Sequence, residues 1–435
     1  MTAAETTLPL SPADEPPRLK ARHVAAVTAG NALEFYDFLT YAFFAAQIGR
    51  TFFPSHTALG SLLASLATFG VGFAMRPVGA FVIGRIGDRI GRKPAMLLSM
   101  GLMGGAMGLL AVVPSYAAIG IAAPLLVILC RLVQGFALGG EVGPSTAYMA
   151  EAAPPGRRGL FVALQGFGQN CAVLASGLIG FGLSNALTEA QLDSFGWRIA
   201  FGIGVIIIPF GLLLRRSLPE TLHETPHLTD EPPPLVKGAG LWRLAILGVF
   251  MLAGGTTVTY VLNYLTTYAT VSLNMPASVG FVATIVQGVC GLIFGPTSGL
   301  LSDRFGRKPV MMLPWTVLLI VTTPAFWFLT QHRSVGVLAG MTATLAVAAS
   351  LATPPILAAL TEVLPRNARA GGVGLIYAVA IGIFGGATQF NVAGLTALTH
   401  SNLAPAWYMT GGVAVALVAM ILFPESAPHK RRPPG

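Results

Sequence analysis

Twelve apolar stretches, each long enough to cross a membrane as a helix, set the limits on what this 435-residue chain can become. A bilayer core about 30 Å thick takes roughly 20 residues of helix. Such stretches lie near residues 23–48, 58–83, 94–114, 117–143, 159–186, 197–215, 243–270, 277–301, 309–330, 334–362, 370–399 and 404–424. Lipid offers no partner for a free peptide group, so each is expected to be a helix. A membrane β-barrel would alternate polar and apolar residues over short strands, and the sequence shows no such alternation. Composition agrees, with 54% hydrophobic and only 10% charged residues, against about 25% charged in a soluble domain. The fold expected is an all-α membrane protein with twelve transmembrane helices. Cys130, Cys171 and Cys290 all sit in apolar segments without metal-binding spacing, and are read as packing residues.

The charges orient the spans. With the N-terminus in the cytoplasm, 21 of the 26 Lys and Arg residues fall on the cytoplasmic side. Arg50, Arg198 and Arg333 fall outside, and Arg76 and Arg131 lie within spans. This is the positive-inside pattern. It also explains the net charge of +9 without a nucleic-acid face, since the basic residues cluster in short connections. The domain reading is a cytoplasmic N-tail at 1–22, a first six-helix bundle at 23–216 and a Pro-rich cytoplasmic linker at 217–242. A second bundle follows at 243–424 and a cytoplasmic C-tail at 425–435. A bacterial inner membrane with both termini cytoplasmic, and a monomer in contact with lipid, complete the expectation. No signal peptide is visible in residues 1–19.

The two bundles read as copies of one unit. Gly84-Arg85-Ile86-Gly87-Asp88-Arg89-Ile90-Gly91-Arg92-Lys93-Pro94 follows the second span, and Gly299-Leu300-Leu301-Ser302-Asp303-Arg304-Phe305-Gly306-Arg307-Lys308-Pro309 follows the eighth. Glu151, Pro154 and Arg158 after the fourth span repeat as Glu362, Pro365 and Arg369 after the tenth. Pro219-Glu220-Thr221 and Pro424-Glu425-Ser426 close the two halves. Read as a loop, the first pair has glycines that permit a tight turn and an Asp, Asp88 or Asp303, able to cap a helix start.

This Gly-x-x-x-Asp-Arg-x-Gly-Arg-Lys repeat resembles the signature of the major facilitator superfamily. The resemblance narrows to its metabolite:proton symporter family at Gly30-Asn31-x-x-Glu34-x-Tyr36-Asp37-Phe38, Met75-Arg76-Pro77-Val78-Gly79, Arg131-Leu132-x-Gln134-Gly135 and Gly139-Gly140-Glu141. It implies two pseudo-symmetric six-helix bundles that work by alternating access. It also implies that Gly84, Asp88, Arg89, Gly91, Arg92, Asp303, Arg304, Gly306, Arg307, Glu151, Arg158, Glu362 and Arg369 form conformational motifs, the repeated loop latching the halves when the outer gate is open. The function it implies is proton-coupled import of a small carboxylate, citrate or a related di- or tricarboxylate. Zwitterionic osmolytes such as betaine and proline, and other organic acids, are the alternative. Protons would be the coupling ion, with no other cofactor and no metal site.

The residues themselves point to where such chemistry would sit. A charge at the bilayer centre costs roughly 2.5–3.5 kcal/mol on insertion scales, and Glu34, Asp37, Arg76, Arg131 and Glu141 all stand within spans. A merely structural set of ion pairs would account for them. A functional set needs a carboxylate that exchanges a proton and a cation that holds an anion. Arg favours the charged form of a nearby carboxylate while burial favours the neutral form. Asp37 is therefore the candidate proton carrier, with Glu34 one turn away as the alternative and Arg131 as its partner. Arg76 has no acid on its own span, and an Arg fork suits bidentate capture of a carboxylate. Further polar candidates for the substrate are Tyr36, Gln165, Gln169, Asn170, Tyr260, Asn263, Tyr264, Gln287, Tyr377 and Gln389, with Thr256, Thr257 and Asn391. No phosphate loop, zinc spacing or nucleophile–base motif suggests an enzyme or an ATP-driven pump.

Overall fold

In the computed structural model the described residues are 21–90, 92–140, 146, 149–150, 153–154, 156–216, 239–364 and 366–430, and they contain helices and turns but no strand. Ten helices are long and apolar enough to cross a membrane, and a shorter apolar stretch, Leu97–Val112, accompanies them. The first span, Ala21–Phe43, brings Glu34 and Asp37 into its helix, so its apolar character is diluted. The second runs as Ala58–Ala74, breaks at Met75 and resumes as Arg76–Arg89. The third is Arg92–Val112, the fourth Ala122–Gly139, the fifth Arg158–Ala186 and the sixth Trp197–Arg216. The second half repeats the series as Ala239–Thr267, Ala277–Phe305, Arg307–Gln331 and Val335–Val363. The eleventh span is Arg366–Ala380, a π-helical turn Ile381–Gly385 and Gly386–Thr399, and the twelfth is Ala404–Leu422. Gly91, Glu141, Glu151 and most of the 217–242 linker lie outside the described residues, as do the side chains of Glu34, Asp88, Arg92 and Arg369.

One expectation needs correcting. The repeated motif is not a loop over most of its length. Gly84 to Arg89 and Gly299 to Phe305 continue the second and eighth helices. The turn falls on Gly306, whose φ of +98° is a conformation that a side chain would strain. The helix continues because a peptide group leaving the membrane still needs a partner, and one more helical turn supplies it locally.

Two apolar cores form, one within each half. The first packs Phe38, Phe69, Met107, Val127 and Trp197, and the second packs Met251, Trp315, Leu345 and Met409. Tyr260, Phe281 and Ile381 of the second half are built into the first core, so the halves are in contact through side chains as well as backbone. The fifth span lies along the eighth, with Gly288 against Leu174, Gly291 against Asn170 and Gly299 against Leu160. The second span meets the eleventh where Gly70 faces Gly386.

The seam that positions the central arginines lies between the second and fourth spans. Gly135 sits on the carbonyl of Gly72, Gly139 on that of Arg76, and Gly79 on that of Phe136. A Cβ at any of these would overlap a carbonyl oxygen, so glycine sets how closely the backbones approach. Gly135→Ala should therefore lower stability by about 1–3 kcal/mol. Gly105→Ala, where an added Cβ meets nothing within 4 Å, should leave it nearly unchanged. Thermal unfolding of the two purified variants in detergent checks the contrast, and equal melting temperatures would remove the role assigned to the seam.

Candidate functional site

Asp37 and Arg131 face each other across the first and fourth spans. Asp37 is 0% exposed and Arg131 1% exposed. The carboxylate Oδ1 lies 3.9 Å from an Arg131 terminal nitrogen, within ion-pair range but beyond a hydrogen bond. The other oxygen, Oδ2, accepts from Gln134 Nε2 at 2.5 Å. Arg131 and Gln134 are three residues apart on one helix, so one face delivers both to Asp37. The Arg131 guanidinium lies 4.2 Å over the Tyr41 ring, and the Tyr41 hydroxyl donates to the Ser65 carbonyl at 3.2 Å. None of the three Arg131 side-chain nitrogens makes a hydrogen bond. The pair is thus closely apposed yet incompletely satisfied.

Arg76 occupies a second, separate position. The break at Met75 and the restart at Arg76-Pro77, where proline is tolerated in the first helical turn, place it at a bend of the second span. Its guanidinium lies 4.2 Å from the Phe73 ring centre and 4.8 Å from that of Phe38. Tyr260 packs on Phe73 with ring centres 5.4 Å apart, and the phenols of Tyr260 and Tyr377 feel the Arg76 charge. Gln169 reaches the Tyr377 hydroxyl. Arg76 is 3% exposed, its Nε and Nη2 have no hydrogen-bond partner, and no acid pairs with it among the described residues. A buried cation with free donors, flanked by phenols from the other half, is suited to an anion. The alternative in which Arg76 serves only as an ion-pair partner of Asp37 does not match this arrangement.

The remaining sequence candidates divide. Gln165 is buried with a free Nε2, and Gln389 is buried with both polar side-chain atoms free. Gln287 Nε2 donates to Asn263 Oδ1 at 2.8 Å and keeps a free Oε1. Asn170 turns to its own helix and donates to Gly166. Tyr36 is drawn away from Arg76, because its hydroxyl donates to the Ala200 carbonyl of the sixth span at 2.8 Å. Tyr264 is buried among second-half residues, beside Ser272. Both tyrosines are packing contacts here.

At one end of the bundles the two halves are joined by the second copy of the repeat. Asp303 accepts from the backbone N–H groups of Gly159 and Leu160 at 2.8 and 3.0 Å, so it caps the fifth helix across the bundle boundary. Arg307 then ties Asp303, at 2.8 Å, to Glu362, at 2.7 Å. The ninth helix is capped instead by Glu425, which accepts from the N–H groups of Arg307 and Lys308. Burial opposes the charge on Glu425, but backbone donors from Ala427, Arg307, Lys308 and Ser426 outweigh it and hold the carboxyl below its usual range. Ser426 donates to Glu362, which closes the cluster. Arg304 projects outward over the Phe305 ring, while Arg89 is exposed. At the opposite end Phe44 packs on Phe281 with ring centres 5.3 Å apart, so the halves touch at both ends.

Residues 23–227 match the family described as sugar (and other) transporters, and residues 273–435 match the major facilitator superfamily. A citrate–proton symporter of Salmonella typhi is 37% identical over 91% of this chain and 92% of its own length. An Escherichia coli α-ketoglutarate permease is 34% identical over 92% of each chain, and an Escherichia coli proline/betaine transporter is 31% identical over 93% of this chain and 83% of its own length. A partially occluded, inward-open structure of the Escherichia coli xylose transporter XylE aligns with a TM-score of 0.77 and 17% identity, over 93% of this chain and 98% of that one. The chain belongs to the major facilitator superfamily. It is therefore a multi-pass membrane transporter, with two six-helix bundles, and not an enzyme.

For a superfamily transporter, contacts that bridge the halves hold one conformation. Asp303 is such a contact, and its capping role is worth about 0.5–2 kcal/mol. Asp303→Ala should favour the state in which the halves are separated at this end. With the native cysteines replaced, the alkylation rate of a Leu160→Cys probe should rise about 3- to 30-fold. An unchanged rate would mean that Asp303 does not hold the halves together.

Gln134, Tyr41, Phe38 and Phe73 were not expected at the site. Spacing carried a signal for three of the four, since Gln134 is three residues from Arg131, Tyr41 four from Asp37 and Phe73 three from Arg76. A polar amide or an aromatic at that spacing is common in any helix, and only the neighbouring span decides which face it uses.

Proposed function

We propose that this transporter is a proton-coupled symporter that imports a small carboxylate, most simply citrate or a related di- or tricarboxylate, by alternating access. The observation that carries this reading is Arg76, a buried guanidinium with two nitrogens that lack a hydrogen-bond partner and no acid paired with it among the described residues. A fixed cation in an apolar interior is costly unless a ligand meets it, and an incoming carboxylate supplies the missing charge and acceptors together. Relatives named as citrate–proton symporters, at 37% and 34% identity, support both the coupling ion and the substrate class.

Asp37 takes the proton in this scheme and Arg131 its charge. With Asp37 ionised, the two attract each other across 3.9 Å in a medium of low dielectric. Protonation removes that attraction and leaves Arg131 with free donors, available to a second carboxylate of the same substrate. Substrate then favours the protonated carrier, and proton entry favours substrate binding, because linkage is reciprocal. Release of both to the cytoplasm restores the pair. We place the protein in a bacterial inner membrane with both termini cytoplasmic, following the distribution of Lys and Arg.

A zwitterionic osmolyte is the second reading. The proline/betaine relatives favour it, and the rings of Phe38, Phe69, Phe73 and Tyr260 are the kind that bind a quaternary ammonium. Two of those rings already hold the Arg76 cation, which weighs toward an anion.

The two readings separate by ligand and by mutation. Di- and tricarboxylates should raise the melting temperature of the purified protein, and betaine and proline should not. Arg76→Lys keeps the charge and loses the planar fork, so the apparent KM for citrate uptake should rise about tenfold or more, as expected for loss of roughly 1.4 kcal/mol of binding. Normal carboxylate transport by Arg76→Lys, or stabilisation by zwitterions alone, would contradict the assignment.

A further inference from the structure

Gln134 is the one uncharged side chain that hydrogen-bonds Asp37 among the described residues. It is 0% exposed. Its Nε2 donates to Asp37 Oδ2, while its Oε1 has no partner. A primary amide carries two donors on one side and an acceptor on the other, and rotation of the terminal torsion by half a turn exchanges them. In the present orientation the amide suits a carboxylate. In the exchanged orientation its oxygen would accept from a carboxylic acid. Among the described side chains that hydrogen-bond or ion-pair with Asp37, no other does both. Arg131 only donates, and it is the charge within 4 Å of Asp37 among the described residues. Cys130 on the fourth span and Tyr36 on the first stand near enough to sense Asp37, and Tyr41 lies behind Arg131. Phenols and a thiol carry no charge near neutral pH. Arg76 of the second span is turned to Phe38 and Phe73 instead.

We propose that Gln134 is the positioning residue of proton exchange: it donates to the Asp37 carboxylate, rotates to accept from the protonated acid, and so keeps both forms satisfied inside the bundle. The proton comes from water on the outer side, adds to an Asp37 oxygen and leaves to water on the cytoplasmic side. No bond to Gln134 forms or breaks. Among the described residues, an acid that gained a proton without this partner would hold a buried O–H with no acceptor, and a carboxylate without it would lose its hydrogen-bond donor. The Oε1 is unpartnered, as it is in Gln287 and Gln389, but only in Gln134 among the described residues does the other end of the same amide donate to Asp37.

This inference rests on Asp37 as the proton carrier, and the experiment separates the two. Proton uptake driven by citrate is recorded across a pH series in proteoliposomes holding wild type, Asp37→Asn, Gln134→Leu or Gln134→Met. A hydrogen bond to a carboxylate favours its charged form. Each apolar variant removes both bonds, but the one to the charged carboxylate is the stronger, so the midpoint of the profile should move toward alkaline pH by about one unit, a tenfold change in proton affinity. Either apolar variant suffices if the other does not fold. A flat profile in Asp37→Asn with an unmoved midpoint in the apolar Gln134 variants overturns the role of Gln134 and leaves Asp37 as carrier. A normal pH profile in Asp37→Asn overturns both.

Discussion

An ion pair sealed inside a membrane protein is a constraint before it is a mechanism. Asp37 and Arg131 are both all but inaccessible, and each charge is costly there without the other. Desolvation penalises both ions and their mutual attraction only partly compensates. The rest of the first bundle is arranged around that balance. Gln134 completes the carboxylate on one side, Tyr41 lies under the guanidinium on the other, and Ser65 fixes the Tyr41 hydroxyl. A proton is the smallest change that can break the balance.

The backbone makes this geometry possible through glycine. The second and fourth spans approach so closely that Gly135, Gly139 and Gly79 each lie on a carbonyl of the opposing helix. That contact fixes Arg131 and Arg76 on two neighbouring helices with no side chain between the backbones. Aromatic rings then link the two cations. Arg131 lies over Tyr41, Tyr41 stacks on Phe69, and Phe69 packs on Phe38 and Phe73, which hold Arg76. Tyr260 reaches into the same cluster from the second half. A rearrangement at the proton site therefore has a packed route to Arg76 and to the opposing bundle.

Much of the architecture was legible because membrane helices are written in long apolar runs and because the unit occurs twice. The repeat at Asp88 and Asp303 and the Lys and Arg distribution needed no structure to be seen. The pairing of Asp37 with Arg131 was expected because both stand within spans and the resemblance makes the first and fourth spans neighbours. What was not legible depended on rotation about a helix axis and on partners distant in sequence. Tyr36 adjoins Asp37, yet its hydroxyl is taken by Ala200 on the sixth span. Asp303 was read as able to cap a helix start, but not which one, and the helix it caps is the fifth span, 144 residues away. Gln134 stood in a family-like motif with no role attached, since its spacing from Arg131 says nothing of which acid lies opposite.

The central claim is that Asp37 carries the proton that drives accumulation, and it is tested most directly by separating accumulation from exchange. Asp37→Asn and wild type are reconstituted in liposomes and given citrate with an inward proton gradient, then with equal citrate on both sides and no gradient. The account predicts that wild type concentrates citrate and exchanges it, while Asp37→Asn exchanges it and does not concentrate it. Concentration of citrate against its gradient by Asp37→Asn, in response to pH, would contradict the account.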